Sequence, residues 1–387
     1  MKDNVAAPAW IGPPPSLAQA TAVMTVGVMG IMIAGLQPLL LGALAQEGRL
    51  SAAQLGHAAT AELLTMGLAA GLAGAWLKPE RLRLIAVGCG VVLMALNAAT
   101  TRTFGEMVTL VRAFAGVPSG LMMWLTIGMI SRAPRPERWS GVYLTVQTLA
   151  QFLLAAALTA FVVGRWGANG GFLALAGVSL ACGLAGLGAP ARYAPLAHQG
   201  DEAGGLPSSR GWLSLAAAFL FLAFIVAVWV YAEPLSRQSG HDPKVAGTAV
   251  SLSLACQVLG GGAATLLAGR VRWFWALIVC SAVDFGLLAL FASLPPPALF
   301  LLATGLFGFF WLFFMPFLAP MTIEADPTRR AAMLLGGAQL LGGSLGPLLA
   351  SAMVSDTDAR GALAFGAGSL TLALVLAIGL HLRHARA

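Results

Sequence analysis

Three ionisable side chains, Glu62, Arg112 and Asp284, stand inside long apolar stretches of a chain of 387 residues. In a bilayer such a group needs an opposite charge, hydrogen-bond partners or a water-filled space, and it is a candidate for handling protons, ions or substrate. An arginine at depth costs about 2.5–3.5 kcal/mol on insertion scales, so Arg112 calls for a partner. Glu62 lies about eight residues into its stretch, roughly 12 Å at 1.5 Å per residue, and Arg112 lies at a similar depth in its own. The two can therefore pair. Burial favours the protonated carboxyl and the arginine favours the ionised one, so a conformational change that alters this balance would load or release a proton. A permanent structural ion pair is the other reading. Asp284 and Asn97 read as helix-bonding groups, with Asp284 a second candidate for proton coupling. His57 sits nearer the end of its stretch, where a histidine can titrate near neutral pH.

The elements that must hold these groups follow from composition. The chain is 58% hydrophobic and 10% charged, with a mean hydropathy of +0.84, whereas soluble domains carry about 25% charged residues. That defines a polytopic membrane protein. Apolar stretches run over about 19–45, 54–77, 82–100, 106–131, 139–163 and 170–189, then 212–232, 245–268, 273–293, 297–321, 331–354 and 361–381. Each is long enough for a spanning helix, which takes roughly 20 residues. The expected plan is a tail 1–18, a six-helix bundle 19–189, a loop 190–211, a second bundle 212–382 and a tail 383–387. With the N-terminus inside, fifteen of the 22 basic residues fall on the cytoplasmic side, so both termini are expected there. This bias also explains the net charge of +7 without nucleic acid. Trp76, Trp139, Trp212 and Trp273 fall at span ends and read as interfacial anchors. The four cysteines stand singly with neither metal nor disulfide spacing. No phosphate-binding loop, metal cluster or grouped nucleophile and base appears. Neither an enzyme nor a cofactor or metal is therefore expected, and His381 and His384 read as solvated tail residues.

Two features give the chain a family likeness. The halves match weakly at an offset of about 192 residues, with Gln147 against Gln339, Gly116 against Gly308 and Arg112 against Thr304. The fourth stretch carries Arg112, Gly116, Pro118, Ser119 and Gly120. The glycines share one face for close helix approach, and the proline implies a bend. This arginine followed by small residues resembles the fourth transmembrane helix of the major facilitator superfamily. The resemblance implies two parallel six-helix bundles around an axis normal to the membrane. It also implies a cavity lined by the first, fourth, seventh and tenth spans. On those spans stand Gln37, Trp229, Tyr231 and Trp311, and Gln147 on the fifth is a further substrate candidate. The family's cytoplasmic gate loop corresponds to Gly74, Arg81 and Arg83, with Lys78 where an aspartate is usual. Span five lacks the glycine-proline motif of antiporters, and span eleven has Gly342, Gly346 and Pro347 instead, expected to shape a close contact and a bend.

The resulting expectation is a secondary transporter in a bacterial-type inner membrane, monomeric, its partners a small-molecule substrate, protons and the bilayer. The aromatic, charge-poor spans favour proton-coupled efflux of an amphiphilic or aromatic solute. The alternatives are proton-coupled uptake of an organic anion held by Arg112, and a transporter-like sensor or scaffold that binds without turnover.

Overall fold

The structure, a computed structural model, describes residues 10–134, 136–194, 206–267, 270–327 and 330–384. Residues 195–205 of the central loop, the first nine and last three residues, and Arg135, Ala268, Gly269, Thr328 and Arg329 lie outside the described residues. The first half contains α1 (Leu17–Gln46), α2 (Ala52–Trp76), α3 (Leu82–Thr100), α4 (Glu106–Ile130), α5 (Pro136–Ala157) and α6 (Gly164–Ala185). The second contains α7 (Ser209–Val230), the short α8 (Ala232–Gln238), α9 (Pro243–Leu267), α10 (Trp273–Ala292), α11 (Pro297–Phe314), the short α12 (Leu318–Ala325), α13 (Arg330–Ser351) and α14 (Gly361–His384). Ser16 and Ser51 start α1 and α2 with reciprocal capping boxes to Gln19 and Gln54, which satisfy backbone N–H groups that have no partner within the helix.

Nine helical stretches among the described residues are long and apolar enough to cross a membrane. One of them, Arg138–Gly188, is 51 residues long. It is two crossings: a π-helical stretch, Leu158–Val163, joins α5 to α6, and the chain breaks direction at Gly167, whose φ of 59° favours glycine. The less apolar α2 and α13, rich in alanine and glycine, complete the twelve. The expected loop between the fifth and sixth spans is thus largely helical. The tenth span divides into α11 and α12 through a 3-10 turn at Met315–Phe317, because Pro316 has no N–H to continue the α-helical ladder.

Small residues bring helices together in the same way in both halves. A Cβ on Gly116 would collide with Glu62 O and Thr65 Oγ1, and one on Gly120 with Met66 O, so α4 lies directly on α2. The corresponding Gly308 faces Ser253 in the same manner, placing α11 on α9. Gly342 and Gly346 press α13 onto the Phe219 and Ala223 carbonyls of α7.

The chain ends, the α2–α3, α4–α5, α9–α10 and α12–α13 links and the described part of the α6–α7 link share one end of the bundle, the terminus face, where Glu80 pairs with Arg192 in an isolated β-bridge and Arg132 donates to Ala194 O; the α1–α2, α3–α4, α8–α9, α10–α11 and α13–α14 links form the opposite loop face. At the terminus face the described end of the expected tail, from Trp10, lies against the first bundle. Trp10 packs on Trp139 with ring centroids 5.7 Å apart, and Ile11 N donates to Arg132 O at 3.0 Å. Trp273 is not an interfacial anchor: it is buried, and its indole donates to Glu324 at 2.7 Å. His381 stacks on Phe274 at 3.8 Å instead of standing in solvent.

Replacing Gly116 by alanine should destabilise the bundle by about 1–3 kcal/mol, since the new methyl meets backbone that cannot yield. Gly177→Ala, where a Cβ meets nothing within 4 Å, should be neutral or stabilising. Thermal unfolding of the two variants in one detergent compares them directly.

Candidate functional site

The three membrane-embedded ionisable residues separate into two places. Glu62 and Arg112 are both fully buried in the first half. Arg112 Nε donates to Glu62 Oε2 at 3.0 Å, and a second guanidinium nitrogen donates to Glu62 Oε1. Its remaining nitrogen donates to Asn97 Oδ1 at 2.8 Å and to Thr100 Oγ1 at 3.3 Å. Phe172 of α6 covers the guanidinium face, 5.3 Å away, and Asn97 passes the network on to Ser179 at 3.0 Å. The cluster joins α2, α3, α4 and α6 inside one bundle, away from the boundary between the halves. Asp284 of α10 is buried in the second half, with Oδ2 unpartnered among the described residues.

The boundary between the halves is aromatic and amide-rich. Trp229 of α7 is buried, donates its indole N–H to Ala34 O of α1 at 3.0 Å and meets half-buried Trp311 of α11 edge-on at 5.7 Å. Gln37 is fully buried beside Pro38. Its amide donates to Ala59 O at 3.2 Å, while its oxygen has no partner among the described residues. Tyr231 is not in open space: it is fully buried at the α7–α8 turn, its hydroxyl donating to Ala52 O of α2 at 3.0 Å. Gln147 of α5 is half-buried between Tyr143 and Gln151, which bond to Gly27 O and Ile31 O of α1.

These cross-boundary contacts lie toward the loop face. There Gln46 of α1 donates to Glu233 of α8 at 2.6 Å, and Ala52 N donates to Asp356 at 2.7 Å. Gly56 of α2 lies against Tyr231, the Pro347 carbonyl and Ser351. Toward the terminus face the contact loosens: a Cβ on Gly67 of α2 would meet Leu340 of α13 only at 3.9 Å. The gate-loop residues belong to the first half. Gly74 faces Trp124; exposed Arg81 opens α3 in the left-handed region, φ 53°; Arg83 donates to Ala189 O at 2.7 Å. A further, mainly apolar groove of about 1300 Å³ runs along α1 between α5 and α6. Met24, Val28, Val146, Leu153 and Val178 line it, and Arg138 stands at its terminus-face end.

Thr100, Ser179, Phe172 and Glu233 escaped the sequence reading. Hydroxyls and a phenylalanine in apolar helices carry no signal of their own, and Glu233 falls just past a span. Asn97 did carry one, as a lone amide in such a stretch. Arg49 reads as a loop charge in the sequence, yet it is buried, bonded to Thr100 O at 2.5 Å, Thr103 O and Asn169.

The arrangement is that of a twelve-helix transporter fold. No family model and no curated protein matches the sequence. Solved structures do match in shape. A bacterial homologue of the human lysosomal transporter Spinster, inward-facing and occupied, has a TM-score of 0.62 at 14% identity, covering 96% of each chain. The nucleoside transporter NupG, as a single-substitution variant, has a TM-score of 0.69 at 12% identity, covering 94% of this chain and 99% of that one. The Spinster homologue in its unoccupied inward-facing form has 0.60 at 12% identity, with 95% of each chain covered. At these identities the likeness establishes the fold, which is that of the major facilitator transporters.

Glu62→Ala leaves the Arg112 guanidinium buried without its counter-charge, and removal of one partner from a buried pair costs about 3–5 kcal/mol. A large drop in the unfolding temperature is expected, and a smaller one for Asn97→Ala; thermal unfolding in detergent measures both.

Proposed function

We propose that the protein is a secondary transporter that moves a small amphiphilic or aromatic solute by alternating access, with proton-coupled export the favoured direction. The observation that carries this reading is the asymmetry of the boundary: hydrogen bonds tie the halves at the loop face, and the contact loosens toward the terminus face. A binding space between two such halves is accessible from one side at a time, which is what rocking of one bundle against the other requires. The positive-charge bias supports placing the terminus face, and both termini, in the cytoplasm of an inner membrane. On that orientation this is the inward-open state.

The solute class rests on the residues at the boundary. Trp229 and Trp311 offer faces and edges for ring contact, and the Gln37 oxygen is an acceptor with no partner among the described residues. The apolar groove beside α1 supports an amphiphile that arrives from the lipid. Uptake of an anion on Arg112 has less support, because Glu62, Asn97 and Thr100 already occupy the guanidinium. In this reading the Glu62–Arg112 cluster keeps the first bundle rigid while it rocks. A proton-coupling part for it, or for Asp284, requires the pair to open or water to reach it.

Solute counterflow in proteoliposomes, with internal pH recorded by a trapped dye, tests the proposal across a panel of aromatic and amphiphilic compounds. At least one compound should exchange and move protons in the opposite direction. Trp311→Ala should weaken its binding about tenfold, or about 1.4 kcal/mol. Counterflow without pH change would retire proton coupling, and absence of counterflow with retained binding would favour the sensor reading.

A further inference from the structure

Glu233 is a buried carboxyl that stands apart from the Arg112 cluster and from Asp284. It is 2% exposed and lies on α8, just beyond the end of α7. Its Oε1 accepts from Gln46 Nε2 at 2.6 Å, across the boundary between the halves. Gly42, one turn earlier on α1, leaves the room that the side chain fills: a Cβ there would run into Cβ and Cγ of Glu233. Oε2 is buried and has no hydrogen-bond partner among the described residues. An ionised carboxylate in this position keeps charge on an unsolvated atom, at a cost of several kcal/mol or more in general; a neutral carboxyl does not.

The surrounding charges do not relieve this. No ion pair to Glu233 forms among the described residues. Arg237, exposed on the same helix, acts on it only at a distance. On α1 the next residue, Glu47, turns away to Ala168 N and Arg49. Asp242 and Lys244, at the start of α9, are exposed. From the α13–α14 link, Asp356 is taken by Ala52 N, and Asp358 by Gln238 and Arg360. Burial pushes the Glu233 carboxyl up to about 7, against smaller opposing pulls from Gln46 and Arg237.

We propose that Glu233 is a proton-binding site of the loop-face gate: the halves close there with its carboxyl protonated and part with it ionised. This deepens the alternating-access reading and rests on it, because only the open gate gives the carboxyl a second, water-exposed state. The sign follows from linkage. In the open gate the carboxyl returns to the ordinary carboxylate range, so closure takes up a proton between that range and about 7. Falling pH favours the closed gate and rising pH removes that preference, by up to about tenfold in the closed-to-open ratio per pH unit inside the window.

The test uses full-length protein in nanodiscs with the four native cysteines replaced and spin labels at Arg102→Cys and Lys244→Cys, both exposed on the loop face. Pulsed electron–electron distances are recorded from pH 5 to 9, with no solute added. The short distance should dominate at low pH and give way to a longer one as pH rises through about 7. Glu233→Gln, which fixes the neutral form, should hold the short distance throughout. Gln46→Ala, which removes a bond that favours the ionised carboxyl, should move the midpoint to higher pH. A wild-type distance that ignores pH, or a pH response unchanged in Glu233→Gln, overturns the proposal. So does an unmoved midpoint in Gln46→Ala, which serves equally if the glutamine variant fails to fold. Because the distances need no solute, a protein that gates with pH but shows no counterflow would retire the transport reading and leave Glu233 in place.

Discussion

A guanidinium buried in a bilayer has no water to fall back on, and the first half is built around meeting that demand for Arg112. One carboxylate alone would leave donors unmet. Glu62 takes one edge, Asn97 and Thr100 take another, and Phe172 covers the face. Those partners come from α2, α3 and α6, so satisfying one side chain on α4 fixes three other helices around it. The pair also needs close backbones, and Gly116 and Gly120 supply them by letting α4 rest on the α2 carbonyls.

The second half reaches the same fold by a different solution. Thr304 stands where the repeat would place Arg112, and its hydroxyl is satisfied within its own helix, by Phe300 O at 2.8 Å. In place of a charge network the core is aromatic: Phe221 meets Phe314 at 4.6 Å, and Phe224 meets Phe307 at 5.8 Å. Hydrogen bonds with fixed geometry hold one half, and ring packing with less directional contacts holds the other. The two bundles thus share topology but not the physical origin of their rigidity.

Among the described residues, hydrogen bonds between the bundles gather toward the loop face. Tyr231, Trp229, Gln46 and Asp356 each bond to a group in the opposite half. All of these except the Gln46–Glu233 bond use a backbone N–H or carbonyl on one side. Such bonds can be exchanged for water when the ends separate, whereas the Arg112 cluster has no such alternative. The places that can open are therefore at the boundary, and the strongest electrostatic element lies inside a rigid body.

Much of this was legible from residue types and spacing. Composition required a membrane protein, hydropathy placed the spans, and similar depth allowed Glu62 to pair with Arg112, because helix rise and bilayer thickness are fixed lengths. The weak repeat located Gly116 and Gly308 at matching contacts. The remainder depended on which faces meet. Arg49 reads as a loop charge and is buried; Trp273 reads as an anchor and donates to Glu324; Glu233 reads as the residue after a span and lies closed against Gly42. Each of these outcomes is decided by partners 50 to almost 200 positions away in the chain. Periodicity along one helix says that a residue is near a bilayer edge or a helix face. Only the packing of one helix on another says whether that residue meets water, lipid or a hydrogen-bond partner.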